Sequence, residues 1–390
     1  MKGVRKILKK QLDDSAYTQN GLATAIDSYN SVLTDFFLYE KEVSMYAIYK
    51  INHTLLSNQK KHIELYCSNI FSHYKKTINI NMKILFVIAY INGYKKMLNE
   101  LIVIAKAHPE NYVKKYAPLF NLFKKRSENK CNKVILEELE GVRKTISKKE
   151  HIGMEILCDI LYLLSAGDVG DFGMFDTYIE RLKENINKIS NKELKSIYTM
   201  WMDDILGYLL LRRKNIEEFK QSIQKLKRNK ELKFFPVVSA MINVRLGEEC
   251  FFYDYESSMR YTSKGLRVLR EFNCEFKYRI ACNNLNFLKL IHNRDIDTIC
   301  LSELHLAELA LYWILKGKPK KAIRILKKLK VKNGKLTAIQ TCYLGQATND
   351  LSLLARANEM CIEKGDYFFL QYTDKVYKEF KNKICVGGAL

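Results

Sequence analysis

Leu344-Gly345-Gln346-Ala347-Thr348-Asn349-Asp350-Leu351-Ser352-Leu353-Leu354 is the stretch that sets the fold class. An apolar run at helical spacing ends on Leu-Gly. A polar turn follows, and then a second amphipathic run begins. The same arrangement stands at Leu206-Gly207 before Asn215-Ile216-Glu217-Glu218-Phe219, at Leu246-Gly247 before Tyr255-Glu256-Ser257-Ser258-Met259, and at Lys316-Gly317 before Pro319-Lys320-Lys321-Ala322-Ile323. Small residues at these places let one helix approach the next. The turns lie about 40, 63 and 31 residues apart, so the middle gap is expected to hold two units. That period is close to the 34 residues of a tetratricopeptide helix pair. No unit carries the full tetratricopeptide pattern, and a non-repetitive helical bundle is the alternative. Stacked pairs wind into a solenoid whose concave groove suits an extended peptide or a partner helix.

The rest of the chain agrees with an all-α reading. Only 4 of 390 residues are Pro and 17 are Gly, too few turn-formers for a many-turned β fold. Apolar residues recur at helical spacing nearly everywhere, as in Ile63, Tyr66, Cys67, Ile70 and Phe71. Arg212-Arg213-Lys214 are expected to close a helix with cations, as the helix dipole favours. The Lys124–Lys130 run reads as a solvated connection. Ala166-Gly167-Asp168-Val169-Gly170-Asp171-Phe172-Gly173 reads as a loop; with no strand before it and no Lys-Ser/Thr, it is no phosphate cradle.

The formal net charge is +22, which points to a polyanionic partner. Residues 1–150 carry 26 basic and 14 acidic residues, residues 151–250 carry 15 of each, and residues 251–390 carry 24 and 14. The ten cysteines form no C-x-x-C and pair with no His at metal-ligand spacing, so neither a metal nor a disulfide framework is expected. Their apolar helical settings suit a reducing cytoplasm. No apolar segment follows Met1-Lys2-Gly3-Val4-Arg5-Lys6, and the longest apolar run, Ile84–Ile91, is far short of a membrane span, so no signal peptide and no membrane segment are read. No catalytic motif appears among the seven scattered histidines or elsewhere, and Asp203-Asp204 are neighbours that point apart on a helix. No catalytic residue, cofactor or metal site is assigned.

Residues 19–38 fit a helix-turn-helix. Ala23 supplies the small contact residue, and Leu22, Ile26, Leu33 and Phe36 the core positions. Gln19 opens the first helix, Asp27 takes the turn position commonly held by Gly, and Ser28 is placed to cap the second helix. The second helix would then present Tyr29, Asn30, Ser31, Thr34 and Asp35 to a major groove. Gln19, Thr24 and Ser28 join Tyr29, Asn30, Ser31 and Thr34 as candidate DNA contacts, and Lys2, Arg5, Lys6, Lys9 and Lys10 are candidates for phosphates. The expected organisation is a DNA-binding domain over 1–55, a helical linker with the first degenerate repeats over 56–150, and peptide-binding repeats with capping or dimerisation helices over 151–390.

With this layout, the chain resembles the arbitrium receptor (AimR) family of temperate phages. The resemblance is carried by Leu246-Gly247-Glu248-Glu249-Cys250-Phe251-Phe252-Tyr253-Asp254-Tyr255 with Lys264-Gly265-Leu266, by Asn284-Leu285-Asn286-Phe287-Leu288, by Glu308-Leu309-Ala310-Leu311-Tyr312 with Lys316-Gly317 and Ala322-Ile323, and by Gly365-Asp366-Tyr367-Phe368. It implies a right-handed tetratricopeptide-like solenoid behind the helix-turn-helix. It also implies a homodimer that binds operator DNA in the host cytoplasm and activates transcription favouring lysis. A phage hexapeptide ending Arg-Gly-Ala would suppress that activation. The peptide arginine needs carboxylates. Glu308 and Asp366 match the family's acidic positions. Asn243, Arg245 and Asn284 are candidates for the peptide's carboxylate and backbone, and Tyr208, Glu248, Tyr367 and Phe368 for the walls. Around Lys233-Phe234-Phe235-Pro236, where the resemblance leads one to expect polar peptide contacts, this sequence is apolar. Near Leu211 and Asn215 it offers at most one amide of an expected two. The competing readings are a bacterial pheromone-responsive regulator of other genes and a helical-repeat scaffold without DNA binding. An enzyme of the peptide-inhibited phosphatase kind finds no convincing set in Gln19 and Asp35.

Overall fold

A computed structural model describes residues 2–56, 63–64, 79–146 and 152–387. The stripe expected over Ile63–Phe71 falls almost wholly outside these residues, as do residues 147–151. Among the described residues all regular structure is helical. Four helices come first: α1 (Lys2–Asp13), α2 (Gln19–Ala25), α3 (Asn30–Phe37) and α4 (Met45–Leu55). A middle group follows: α5 (Asn79–Ile91), α6 (Lys95–Ala107), α7 (Asn111–Lys114), α8 (Tyr116–Ser127) and α9 (Asn132–Lys144). The remainder is a helical-repeat solenoid: α10 (Ile152–Asp168), α11 (Phe175–Asn187), α12 (Lys192–Arg212), α13 (Ile216–Lys227), α14 (Pro236–Glu249), α15 (Tyr255–Glu271), α16 (Glu275–His292), α17 (Leu306–Leu315), α18 (Pro319–Asn333), α19 (Ala338–Thr348), α20 (Leu351–Glu363) and α21 (Tyr367–Gly387). Each helix of the solenoid packs mainly on its neighbours in sequence, as stacked pairs must. No helix among the described residues is long and apolar enough to cross a membrane.

The Leu-Gly positions explain two of the pairings by close approach. A methyl group added at Gly247 would stand 2.3 Å from Thr262 Oγ1 and 3.0 Å from the Ser258 carbonyl oxygen, so α14 and α15 meet backbone to backbone. At Gly345 the added carbon would press into Leu354 at 2.8 Å, which joins α19 to α20. Gly207 has ordinary contacts instead. Gly317 sits in open space at φ +66°, where it turns the chain between α17 and α18.

Three local expectations are corrected. The middle gap holds one extra helix, α16, followed by a single 3-10 turn at Ile296–Thr298, because the chain after His292 turns through left-handed Asn293 and Asp295 before a second helix can form. The Lys124–Lys130 run is not a connection over its first half, since α8 continues to Ser127. Arg126 is buried there, with its guanidinium bonded to both Asp168 carboxylate oxygens at 2.8 and 2.7 Å and to Tyr90 at 2.7 Å. Gly167 belongs to α10, so the glycine loop shrinks to the turn after Asp168.

The solenoid closes on itself. The Phe172 amide donates to the Lys364 carbonyl at 3.1 Å, and Lys364 Nζ donates to the Val169 carbonyl at 3.2 Å. These partners are some 195 residues apart in sequence. The start of α21 therefore rests on the α10–α11 turn and on α12.

Candidate functional site

The amino-terminal helix pair forms as its residues require. Thr18 caps α2 by accepting the Gly21 amide at 3.0 Å. Asp27 takes φ +53°, the left-handed turn expected of it. Leu22, Ala23, Ile26, Leu33 and Phe36 are buried between α2, α3 and their neighbours. Each large side chain among them stabilises the head by roughly 1.5–3 kcal/mol. Tyr29 is 81% exposed, and Asn30 and Ser31 are exposed beside it at the start of α3. Gln19 Nε2 donates to Thr34 Oγ1 at 2.8 Å and ties the two helices together. Thr24 is exposed, with its hydroxyl returned to the Asn20 carbonyl at 3.0 Å.

Two expectations fail here. Ser28 does not cap α3: Tyr29 holds the cap position without a side-chain bond, and Ser28 is half-buried. Arg5 is not free for phosphate. It is 7% exposed, bonds the Lys41 carbonyl at 2.8 Å, and lies 5.1 Å above the Phe36 ring. Arg5 thus pins α1 to the end of α3. Lys6 and Lys10 are exposed, Lys9 pairs with Asp13 at 3.2 Å, and the Lys2 side chain falls outside the described residues. An open cleft of about 380 Å³ runs between Lys6, Lys9 and Lys10 and is rimmed by Asp13 and Glu40. Asp35 on α3 is paired with Lys41 at 2.9 Å, and the bond and charge of Asp35 raise the Lys41 pKa.

The amino-terminal helices dock on the repeats at the 3-10 turn Lys230–Phe234 ahead of α14 and at Glu193 of α12, which accepts from the Ser44 hydroxyl at 2.9 Å. Lys233 Nζ donates to the Ala25 carbonyl at 2.6 Å, and Lys230 pairs with Asp27 at 3.5 Å. Beneath them, buried Glu231 accepts from the Tyr46 hydroxyl and pairs with Lys50 at 3.3 Å. The Tyr49 hydroxyl donates to the Phe234 carbonyl at 2.6 Å. The apolar Lys233–Pro236 stretch is therefore the seat of the amino-terminal head. Sequence reasoning missed Glu231, Lys50 and Lys233, whose partners lie some 180 to 208 residues away.

The second cluster surrounds Arg212 at the end of α12. Its guanidinium lies 4.8 Å from the Tyr208 ring, 4.9 Å from Phe368 and 4.7 Å from Phe369, and it pairs with buried Glu248 at 3.3 Å. Asn284 Nδ2 donates to the same Glu248 oxygen at 2.6 Å. Asp366 closes the cluster. It is 8% exposed and caps α21 by accepting the Phe369 amide at 3.3 Å. Among the described residues it makes no ion pair. Burial raises its pKa, and the Arg212 charge opposes that rise. Burial likewise pushes Tyr208 up to about 12.

Five of the expected peptide residues thus stand together: Tyr208, Glu248, Asn284, Asp366 and Phe368. Of the others, Arg245 reaches the cluster through the Tyr208 ring, 5.6 Å from its guanidinium, and the rest are engaged elsewhere. Arg245 is buried and pairs with Asp204, whose carboxylate and carbonyl it binds, the latter at 2.6 Å, so in this structure its hydrogen bonds go to the core rather than to an open groove. Asn243 donates to Ser239 of its own helix at 2.9 Å. Glu308 bonds His305 at 2.8 Å in the first turn of α17, and no hydrogen bond or ion pair among the described residues joins it to Asp366. Tyr367 is 41% exposed and lines a separate cavity of about 440 Å³ with Leu206, Leu210, Arg213, Asp176 and Glu180. Among the described residues no group of His, Cys, Asp and Glu is arranged to hold a metal.

Comparison with known proteins bears on the solenoid. Over 264 residues the chain is 32% identical to an uncharacterised protein of Bacillus anthracis, covering 66% of this chain and 96% of that protein. Its fold is similar to that of phAimR with its ligand, at a TM-score of 0.71 and 14% identity, covering 87% of this chain and 98% of that one. The selenomethionine form of phAimR matches at a TM-score of 0.59 and 14% identity, covering 96% of each chain. Residues 59–373 match the family described as AimR transcriptional regulator-like, and the chain belongs to that family.

Proposed function

We propose that the protein is a homodimeric transcription regulator that binds operator DNA through α2 and α3 and is controlled by a short peptide ending Arg-Gly-Ala, as in a phage lysis–lysogeny decision. The observation that carries this reading is the placement of Tyr29, Asn30 and Ser31: exposed on a helix pair whose core is complete and whose turn is set by Asp27. The family match begins at residue 59, so the reading of the head rests on this geometry. Exposed amide, hydroxyl and phenol groups at the start of α3 suit base edges, and Lys6 and Lys10 suit phosphates.

The peptide is read by the cluster around Arg212. Asp366 is the acceptor for the peptide arginine, since it is buried and unpaired while Glu248 is already satisfied. Tyr208 and Phe368 form the wall. Two helices link the two sites: α14 begins at the segment that seats the head and carries Glu248 in its last turn, and α12 runs from Glu193, bonded to Ser44, to Arg212. A peptide that prefers the closed seam shifts the population of head positions, and DNA half-sites tolerate only one spacing.

The test is selection of bound sites from a random duplex library, with and without synthetic hexapeptides ending Arg-Gly-Ala. The expected result is a pseudo-palindromic site that is lost on Asn30→Ala with Ser31→Ala and weakened by peptide. A scaffold enriches no site, and that outcome refutes the reading.

A further inference from the structure

Residues 316–335 hold ten Lys and Arg and no Asp or Glu. All ten are exposed: Lys316, Lys318, Lys320, Lys321, Arg324, Lys327, Lys328, Lys330, Lys332 and Lys335. They lie on and around α18, whose other side buries Ala322, Leu326 and Leu329. Among the described residues the ion pairs of this set come to one, Lys316 with Asp297 at 3.9 Å. Lys318 and Lys321 rest on the Trp313 ring at 5.4 and 4.2 Å. The exposed arginine of α20 is neutralised from within by contrast: Arg356 meets Glu359 at 3.0 Å and Glu363 at 2.7 Å. Like charges one turn apart weaken a helix, and cations in its first turn oppose the dipole. The helix bears both costs without internal compensation.

We infer that α18 is a second DNA-binding surface, one that grips duplex phosphates without reading sequence. The inference rests on the proposed DNA-binding function and supplies what its head lacks. Of the head's cations, Arg5 and Lys50 are buried, Lys9 pairs with Asp13 and Lys41 with Asp35. Among the described side chains of the head that leaves Lys6 and Lys10, few for positioning a protein on DNA, where phosphate contacts dominate affinity. A 15-residue helix is about 22 Å long. Duplex DNA carries one charge per roughly 1.7 Å of axis, so the length of α18 faces about a dozen phosphates. A membrane surface fits less well. The apolar side of the helix is already buried in the solenoid, which leaves only Val331, 86% exposed, for a bilayer. An acidic protein partner would need an unbroken anionic face of the same length, which duplex DNA has by its nature.

The experiment uses the full chain and a duplex of random sequence. Binding is measured by fluorescence anisotropy between 50 and 200 mM salt for the wild type, for Lys320→Gln/Arg324→Gln/Lys327→Gln/Lys328→Gln, and for Lys6→Gln/Lys10→Gln. The quadruple variant is expected to flatten the log K against log salt slope by about 3 to 4, near 0.9 per lost phosphate contact. Its melting temperature is expected to be equal or higher, since like-charge repulsion is relieved. An unchanged slope, or a slope abolished by the Lys6/Lys10 pair alone, overturns the inference. So does loss of binding to phosphatidylglycerol vesicles or to polyglutamate with DNA binding intact. If the wild type selects no specific site yet the quadruple variant still flattens the slope, the reading of the head has failed and the surface on α18 stands.

Discussion

His53 makes the docking of the amino-terminal head sensitive to acid. It lies on α4 with its ring edge against Phe234 at 5.7 Å and beside Tyr49 at 6.0 Å, and Nε2 has no hydrogen-bond partner among the described residues. Burial lowers its pKa from 6.5 to about 4. In the unfolded chain the ring takes a proton near pH 6.5; in the folded chain it stays neutral until about pH 4. The stability contributed by keeping it neutral is therefore whole above pH 6.5 and is lost as the pH falls towards 4. At 1.36 kcal/mol per pKa unit the full loss is about 3 kcal/mol, most of it spent by pH 4.5. The perturbation is His53→Leu, which fills similar space and cannot titrate. Denaturant midpoints for both proteins between pH 7.5 and 4.5 give the difference directly, because other titrating groups cancel. Wild type should lose about 2.5 kcal/mol more than the variant over that interval. Hydrogen exchange in α4 and in residues 230–234 should rise together as acid is added. A wild-type-minus-variant difference that stays constant with pH refutes the argument.

Glu231→Ala leaves Lys50 buried and unpaired and removes the acceptor of the Tyr46 hydroxyl, so it should cost about 3–5 kcal/mol in a urea melt. Glu231→Gln keeps an acceptor for Tyr46 and should cost less. Gly247→Ala drives a carbon to 2.3 Å from Thr262 Oγ1 and should destabilise by about 1–3 kcal/mol, read as a lowered melting temperature. Gly141→Ala, in an exposed stretch of α9 with nothing within 4 Å, should stabilise by up to about 1 kcal/mol in the same assay.

What the sequence disclosed follows from which features are local. The turn at Asp27 was legible because few residue types adopt a left-handed backbone and the flanking apolar spacing marks where a turn must fall. The pairings at Gly247 and Gly345 were legible because a small residue before a turn has one structural use in stacked helices. Arg5 and Lys6 are adjacent cations, and charge does not say which one faces the core; the answer depends on Phe36 and Lys41, distant in sequence. Arg126 was hidden in a polar run because its partner Asp168 lies 42 residues on. Arg245 was hidden by Asp204, 41 residues back. Gly317, which shares its spacing with the close-packed glycines, serves a turn because α17 ends there and no neighbouring helix crosses at that point.

On the proposed peptide reading Asp366 would carry two roles, and one substitution separates them. As a helix cap it accepts the Phe369 amide, a task that asparagine performs equally well. As a buried carboxylate with no ion pair it bears a desolvation cost that an incoming guanidinium would relieve. Arg212 opposes that cost by its charge but makes no ion pair with Asp366: its Nη2 bonds Glu248 and its guanidinium lies against three rings. Two guanidinium groups would repel within one cage, so on that reading a peptide arginine would take the side of Asp366 away from Arg212, beside the Gly170 turn. That side is formed by the packing of α21 on the α10–α11 turn, so a peptide bound there would favour the closed seam. A hundredfold preference for that state, about 2.7 kcal/mol, would move an evenly divided population almost wholly to it. Asp366→Asn should leave the melting temperature equal or higher and weaken the arginine peptide at least tenfold, while a peptide with citrulline for arginine should bind both proteins alike. Equal arginine-peptide affinity for the two proteins would remove the carboxylate from recognition and leave Asp366 as a cap alone.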